Sequence, residues 1–320
     1  MYTIGYDVGS SFIKASLLNR TTDQVVASAS SPDTEMEILA HQAGWAEQEP
    51  ENWWKHLKDA TKKLFAQSKV SPEEIAGIGI SYQMHGLVPI DKEKNVIRPS
   101  IIWCDSRAVD YGNEAFRQIG KEQSLSTLLN SPGNFTAAKL KWMKEQEPEL
   151  YRQIHKILLP GDYIAMKFTD KPATTITGLS EGIFWDFANH RLSKEVMEYF
   201  GFSENLIPEM VENFTNQGGV TPQAAKETGL KAGIPITYRA GDQPNNAFSL
   251  NVLEPGEIAA TAGTSGVVYG VSDQVAYDPQ SRVNSFAHVN HSKTKNRLGV
   301  LLAVNGTGIL NSWLKRNLGD

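Results

Sequence analysis

The sequence predicts an α/β fold, in which strands alternate with helices along one chain. Short runs with an apolar residue at every second position indicate strands, and segments with apolar residues three and four apart indicate helices. An internal repeat supports the same prediction, because IGYDVGSSFI, from Ile4, aligns without gaps with IAATAGTSGV, from Ile258. Both copies are predicted to form strand, turn and strand. A duplicated fold explains the match, although unrelated hairpins also resemble each other through their small turn residues.

The predicted elements follow in order from the N-terminus. Residues 2–8 alternate between apolar and smaller or polar side chains, which predicts the first strand. Pro50 suits the first turn of a helix, and apolar residues after it share one face. Further strands are predicted at residues 12–18, 24–30, 75–81 and 234–238. Further helices are predicted at residues 136–147, 162–168 and 195–200.

The composition is that of a globular chain of 320 residues, long enough for two domains. Apolar residues make up 40% and charged residues 21%, and no run reaches the roughly 18 apolar residues of a membrane span. The start MYTIGYDVG has no basic leader, so no signal peptide is expected, and the single Cys104 fits the reducing cytosol. With 31 basic and 36 acidic residues the net charge is −5, so we expect neither nucleic acid nor membrane as a partner.

Two small-residue turns are candidate phosphate sites. The first comprises Gly9, Ser10 and Ser11, and the second comprises Gly263, Thr264, Ser265 and Gly266. Such turns can direct several backbone N–H groups into one concavity, and the hydroxyl groups add further donors. The alternative is an ordinary hairpin turn, since neither G-x-x-x-x-G-K-[ST] nor G-x-G-x-x-G occurs in the chain.

Two charged residues lie beside the first turn. Asp7 suits Mg²⁺, directly or through water, because magnesium favours carboxylate oxygens and keeps much of its hydration shell. Its alternative role is to accept hydrogen bonds from the nearby turn backbone. Lys14 could neutralise phosphate charge, or it could be a solvated lysine on a strand.

Asp242 is the candidate for proton transfer. It follows the predicted strand 234–238 within AGDQPNN, and the C-terminal end of a strand is where catalytic groups of α/β folds lie. Phosphoryl transfer to an alcohol needs a carboxylate that accepts the hydroxyl proton. The alternative role is a helix N-cap, and the two roles are compatible.

Met84 and His85 follow the predicted strand 75–81 in the same way. The histidine could hydrogen-bond a sugar hydroxyl and the methionine could pack against the carbon skeleton, although such a pair is more often structural. In the segment WCDSR, Arg107 and the nearby acid Asp105 are expected to form an internal ion pair.

Seven motifs in one order resemble the FGGY carbohydrate kinases, and among these the xylulokinase branch. They are DVGSSFIKASL, GWAEQEPENWW, GISYQMHGLV, IIWCDSRA, LPGDYIAMKFT, AGDQPNNA and AGTSG. In that branch the tetrapeptide Q-M-H-G lies at the ketose site. The resemblance implies an actin-like ATPase fold of two lobes, each built on a ribonuclease-H-like sheet, with the site in the cleft. It further implies a cytoplasmic enzyme that transfers phosphate from ATP, with Mg²⁺, to the C5 hydroxyl of D-xylulose.

The resemblance also implies roles for single residues. Asp242 corresponds to the general base, and the sugar contacts correspond to Met84, His85 and Gln243. The first phosphate motif corresponds to Asp7, Gly9, Ser10, Ser11 and Lys14, with Asp7 as the metal ligand. The second corresponds to Gly263, Thr264, Ser265 and Gly266. Members of the family commonly form homodimers, which leaves a homodimer open for this chain.

Some features depart from the family. Tyr82 stands where many xylulokinases have glycine, and is expected to narrow the sugar site. Gly241-Asp242-Gln243 resembles the glycerol kinase spelling as much as the xylulokinase one, so ribulose, another ketose or a polyol stays open as the acceptor. Family members are longer, and their adenine-binding segment lies in the distal part. We therefore expect a sugar-binding lobe at residues 1–245 and a truncated nucleotide-binding lobe at 246–320, which alone could bind sugar without catalysis.

Overall fold

The computed structural model of the chain describes residues 1–262, 266–304 and 307–318. The strands are β1 (Tyr2–Val8), β2 (Ile13–Asn19), β3 (Gln24–Ser31), β4 (Glu47–Gln48), β5 (Ile75–Tyr82), β6 (Val88–Ile90), β7 (Ser100–Ile101), β8 (Lys156–Leu158), β9 (Ala173–Thr174), β10 (Trp185–Asp186), β11 (Arg191–Leu192), β12 (Glu209–Met210), β13 (Ile236–Gly241), β14 (Ile258–Ala262), β15 (Gly266–Ser272), β16 (Asn284–Ala287) and β17 (Leu298–Val304). The α-helices are α1 (Pro50–Ser68), α2 (Val109–Ile119), α3 (Lys121–Leu128), α4 (Thr136–Gln146), α5 (Pro148–Tyr151), α6 (Pro160–Thr169), α7 (Ile176–Glu181), α8 (Lys194–Phe200), α9 (Pro222–Thr228), α10 (Asp242–Ser249) and α11 (Thr307–Leu318). Strands and helices are interspersed, which confirms the α/β class.

A mixed five-stranded sheet lies in the first part of the chain, with the order β13-β5-β1-β2-β3. The strands β13, β5 and β1 are parallel, whereas β2 and β3 continue as an antiparallel meander. In the register of the parallel strands, Val8 lies opposite Tyr82, and Tyr82 lies opposite Gly241. The segments that follow these three residues therefore emerge side by side at one edge of the sheet.

Helices cover one face of this sheet. The predicted face of α1 is confirmed, because its residues Trp53, Leu57, Ala60, Thr61 and Leu64 are all buried. They pack with the inward residues of β1 and β5 in one apolar core. Each fully buried side chain of this size contributes about 1.5–3 kcal/mol relative to exposure, so this face is what holds α1 to the sheet. The Tyr6 and Thr61 hydroxyls, which are buried in this core, lie 2.7 Å apart and satisfy each other.

A second, antiparallel sheet has the order β14-β15-β17-β16. Strands flank the turn region in both copies of the internal repeat, as predicted. The register differs by one residue, since Val8 pairs with Ile13 whereas Ala262 pairs with Gly266. The second connection is therefore shorter than the gap-free alignment implies.

The predicted elements are present with shifted ends. The strand predicted at 234–238 is β13, which begins at Ile236 and continues to Gly241, directly before α10. The predicted lobe boundary after residue 245 falls inside α10. Residues of both parts share one apolar core, because Phe286, Ala287 and Leu298 pack with residues of α4 and α7.

Candidate active site

The candidate site lies at the edge where β1, β5 and β13 end. Three segments meet there: the turn after Val8, the segment that follows Tyr82, and the start of α10 after Gly241. Carboxyl ends of parallel strands are where α/β folds bind ligands, because the loops there converge without strand pairing between them. The register thus brings together residues that are far apart in the sequence.

Asp242 lies between the end of β13 and the body of α10, as the sequence predicted. The helix N-cap is Gly241, so Asp242 occupies the first helical position and the N-cap alternative is wrong. Burial, reinforced by the negative charge of Asp7, raises the Asp242 pKa to about 6. The backbone and the side chain of Gln243 favour the ionised form of its carboxylate and act on the Asp242 pKa in the opposite direction. Such a carboxylate is a stronger base than a solvated aspartate and is still ionised at neutral pH.

Asp7 and Lys14 face each other across the β1–β2 hairpin. The Lys14 Nζ lies 3.4 Å from Asp7 Oδ2, and the two side chains are 62% and 40% exposed. An ion pair with this exposure contributes little to stability, because water screens it. Both groups are accessible to a ligand at the strand edge.

The turn after β1 is tied to the protein through its carbonyl groups. Gln48 Nε2 donates to the Ser10 carbonyl at 2.6 Å, and the Met36 N–H donates to the Ser11 carbonyl at 2.9 Å. Because C=O and N–H point in opposite directions across a trans peptide, the N–H groups of Ser11 and Phe12 are directed away from these partners. The Gly9 N–H is used within the turn, where it donates to the Phe12 carbonyl.

The second predicted phosphate turn is only partly described. Gly263, Thr264 and Ser265 lie outside the described residues. Gly266 is the buried first residue of β15 and pairs with Ala262 and Val304.

Met84 and His85 lie directly after β5, beside the start of α10. Met84 is buried, and a Cβ atom on Gly241 would lie 2.5 Å from its Cγ. The His85 ring packs against Phe135 and Phe286, with ring centroids 4.8 and 5.4 Å apart. Both residues therefore pack within the protein, as the structural alternative predicted. They also lie in the segment next to the start of α10, where Asp242 lies.

The protonation state of His85 follows from its partners. Burial lowers its pKa to about 3, so the ring is neutral at physiological pH. Nδ1 lies 2.9 Å from the main-chain oxygen of Glu181, and a carbonyl oxygen only accepts. Nδ1 must therefore carry the proton, which leaves Nε2 as an acceptor for a hydroxyl group.

Tyr82 does not narrow the sugar site, and that prediction was wrong. Its side chain is completely buried and packs against α6, where a Cβ atom on Gly161 would lie 2.0 Å from the Tyr82 Cδ1. The reason is strand alternation, since Ile78, Ile80 and Tyr82 all point to the helix-covered face of the sheet.

Glu181 is a residue of the site that sequence reasoning missed. It is the last residue of α7 and is 2% exposed, and its carboxyl Oε1 accepts from the His85 N–H at 3.4 Å. Burial raises its pKa well above the usual value. The signal that could have identified it is a lone acid in the apolar stretch GLSEGIFW. A buried acid without an evident partner is costly and therefore a candidate for function.

The predicted ion pair of Arg107 with Asp105 is confirmed. Both side chains are almost fully buried, with 2.7 Å between Arg107 Nη2 and Asp105 Oδ2. The guanidinium group also stacks on Trp45, 3.7 Å from the ring centroid. Because both side chains are buried and paired, neither is available to a ligand.

The residues present are compatible with one magnesium ion. The described part of the chain contains no group of three or more His, Cys, Asp and Glu side chains that could enclose a metal. Magnesium, however, commonly takes one or two carboxylates and completes its shell with water and substrate phosphates. The accessible carboxylate of Asp7 meets that requirement.

Within the described residues, no helix is long and apolar enough to cross a membrane.

Known proteins with similar sequences and folds identify the family of this chain. The model of the N-terminal domain of the FGGY family of carbohydrate kinases matches residues 2–249. The chain is 31% identical over 285 residues to the xylulose kinase of Escherichia coli (strain K12), which covers 89% of this chain and 57% of that protein. It is 30% identical over 317 residues to the xylulose kinase of Bacillus subtilis (strain 168), which covers 98% and 62% respectively.

A solved structure shows the same fold. The xylulose kinase from Rhodospirillum rubrum matches with a TM-score of 0.90 at 26% identity, covering 99% of this chain and 63% of that one. The chain thus spans between 57% and 63% of the length of these three relatives. The match confirms the actin-like fold that the resemblance implied. Fold, strand-end geometry and the matched domain agree, and the chain belongs to the FGGY family of carbohydrate kinases.

Proposed function

We propose that this chain provides the sugar site of an ATP-dependent kinase that phosphorylates D-xylulose at its C5 hydroxyl. The observation that carries the proposal is the register of β1, β5 and β13, which aligns the ends of the three strands at Val8, Tyr82 and Gly241. A phosphate-type turn, a sugar-type Met-His pair and a carboxylate base are then neighbours. The similarity to proteins named xylulose kinase supports D-xylulose as the acceptor.

In the proposed mechanism, Asp242 accepts the C5 proton as the hydroxyl oxygen attacks the γ-phosphorus of ATP, and the bond from that phosphorus to the β,γ-bridging oxygen breaks to release ADP. Gln243 favours the ionised form of that carboxylate. His85 Nε2 accepts a hydrogen bond from a sugar hydroxyl, and Met84 packs against the carbon chain. Such positioning, more than covalent chemistry, is what phosphoryl transfer demands of a protein.

The phosphate chain of ATP would lie against the turn after β1. The N–H groups of Ser11 and Phe12, directed away from Gln48 and Met36, are suited to phosphate oxygens. Lys14 would add positive charge. Asp7 would hold Mg²⁺, and the bound ion would neutralise part of the phosphate charge. Residues 263–266 stay the predicted second phosphate motif.

Two alternatives follow from specific features. The tripeptide Gly241-Asp242-Gln243 resembles the glycerol kinase motif as much as the xylulokinase one, so ribulose, another ketose or a polyol is the first alternative acceptor. The second alternative is sugar binding without catalysis, because the chain spans only 57% of the length of its E. coli relative. The lobes 1–245 and 246–320, a homodimer and a cytosolic location remain predictions.

The test is a coupled ADP assay with a panel of sugars, together with calorimetry for ketose and ATP. Asp242→Asn should lower turnover about 10²-fold or more, because the proton acceptor is lost, and should leave ketose binding within a few-fold. The exposed Asp110→Asn is the matched control. Near-normal turnover of the Asp242 variant would exclude the base role. Ketose binding by the 320-residue chain without ATP binding would favour the sugar-binding alternative.

A further inference from the structure

Glu181 holds both the backbone and the ring of His85. Its carboxyl Oε1 accepts from the His85 N–H at 3.4 Å, and its main-chain oxygen accepts from His85 Nδ1 at 2.9 Å. The backbone φ of His85 is +62°, in the left-handed region that residues other than glycine adopt at an energetic cost. Contacts from Glu181 to two parts of His85 therefore support a conformation that the chain would not favour by itself.

The other carboxyl oxygen of Glu181 lies against the backbone directly before Asp242. A Cβ atom on Gly241 would lie 2.5 Å from Glu181 Oε2 and 2.5 Å from Met84 Cγ. Residue 241 must therefore lack a side chain for these groups to pack as they do. Glu181 thus connects the segment that carries Met84 and His85 with the strand end that carries Asp242.

The groups around the Glu181 carboxyl favour its neutral form. Two acidic side chains face it, Asp242 of α10 and Asp162 of α6, whereas the His85 N–H and the Tyr82 side chain act in the opposite direction. An ionised Glu181 would place another negative charge in this buried cluster. Burial, followed by the charges of Asp242 and Asp162, raises its pKa well above the usual value and so favours the protonated carboxyl.

Two buried cations near this cluster have other partners. Lys139 of α4 donates to the His85 carbonyl at 2.8 Å and to the Ile102 carbonyl at 2.9 Å. Arg239 of β13 lies 3.1 Å from Asp162, and both side chains are about 1% exposed. Lys139 therefore ties the His85 segment to the segment that carries Ile102, and burial lowers the Lys139 pKa to about 7.

We propose that Glu181 is a positioning residue of the sugar site, which as a neutral carboxylic acid holds the Met84–His85 segment and Asp242 at a fixed separation. The identity of the ligand rests on the proposed function, whereas the role of Glu181 rests on the contacts above. The neutral form matters because a charged one would raise the Asp242 pKa further and weaken it as an ionised base at neutral pH.

Two substitutions separate this role from simple packing. Glu181→Gln keeps the volume and an acceptor for the His85 N–H, whereas Glu181→Leu removes the acceptor. Calorimetry should show D-xylulose binding within about threefold of wild type for the first, and at least about fivefold weaker for the second, as expected for one lost buried hydrogen bond. If the wild-type chain binds ATP, neither substitution should change its affinity for ATP. Glu198→Gln, at a glutamate that is 68% exposed, is the matched control. Wild-type affinity in Glu181→Leu would overturn the proposal.

Thermal unfolding between about pH 5 and pH 8 tests the neutral form without any ligand. A carboxyl whose pKa is higher in the folded than in the unfolded protein destabilises the fold progressively as pH rises above the unfolded value. The melting temperature of Glu181→Gln minus that of wild type should therefore increase with pH. A difference that becomes more negative with pH would show a stabilising carboxylate and overturn the proposal. If wild type binds no ketose, the proposed function fails, and this comparison still decides the state of Glu181.

Discussion

Three acidic side chains near the strand ends differ in their surroundings. Asp7 is 40% exposed, Asp242 is largely enclosed with a pKa raised to about 6, and Glu181 is 2% exposed. Loss of water disfavours the charged form of a carboxyl, so burial raises the pKa of Asp242 and of Glu181. The exposed Asp7 suits a cation, the largely enclosed Asp242 suits a base, and the buried Glu181 suits a neutral hydrogen-bonding group.

The pKa of Asp242 predicts how the reaction depends on pH. A general base must be ionised, so kcat/KM for the ketose should fall as pH drops below about 6. The negative charge of Asp7 contributes to that value, and Asp7→Asn should therefore move the titration of Asp242 to lower pH. Carbon-13 NMR of the Asp242 carboxyl measures the shift directly. An unchanged or higher midpoint would contradict the predicted coupling, and Asp110→Asn should leave the midpoint as it is.

At the scale of elements, the Gln48 side chain connects three of them. Its Nε2 donates to the Ser10 carbonyl, 2.6 Å away, in the turn after β1. Its Oε1 accepts from Trp53 Nε1 of α1 at 3.0 Å and from Gln83 Nε2, which follows β5, at 3.2 Å. Gln48 itself lies on the two-residue strand β4. The turn proposed to bind phosphate is thus held by the same amide that supports the start of the sugar segment.

Gln48→Ala should destabilise the protein and displace this turn. Two N–H donors, of Trp53 and Gln83, lose their acceptor, so the free energy of unfolding should fall by about 1–3 kcal/mol in urea denaturation. In an active protein the KM for ATP should rise more than the KM for the ketose, since the turn lies on the phosphate side. The exposed Gln118→Ala is the control. A larger effect on the ketose KM would argue against this role.

At the scale of the whole molecule, the second sheet has one covered and one open apolar face. One face packs on α10 through Tyr269, Val271 and Leu301. The opposite face exposes apolar side chains of β14, β15 and β17, namely Ile258, Val268, Leu302 and Val304. In α11 the exposed apolar residues Leu310, Trp313 and Leu314 have helical spacing. Contiguous apolar surface of this kind favours association.

The 320-residue chain should therefore self-associate as its concentration rises. Val268 and Leu302 are 41% and 40% exposed and lie opposite each other on the open face. Changing both to lysine should suppress association, because two charges cannot be buried in an apolar interface. Sedimentation velocity measures the effect, and Val109→Lys, at an exposed residue elsewhere, is the control. A chain that stays monomeric at all concentrations would refute this prediction.

Much of the fold could be predicted because its signals are local. Alternation identified β1, and the spacing of apolar residues identified the buried face of α1. Asp242, Met84 and His85 were identified because each follows an apolar strand. Element ends were less predictable, as in β13, because a strand continues as long as its neighbour offers hydrogen bonds.

The sequence by itself determined the order of the elements, the motifs of the family and the candidates at the strand ends. Only the tertiary structure decided that Tyr82 points into the core and that Glu181 supports His85, a residue 96 positions away. The raised pKa of Asp242 also follows only from the tertiary structure, which buries its carboxyl near Asp7. The physical reason is that side-chain type and periodicity are local, whereas burial, register and the field at a carboxyl depend on residues that only folding brings together.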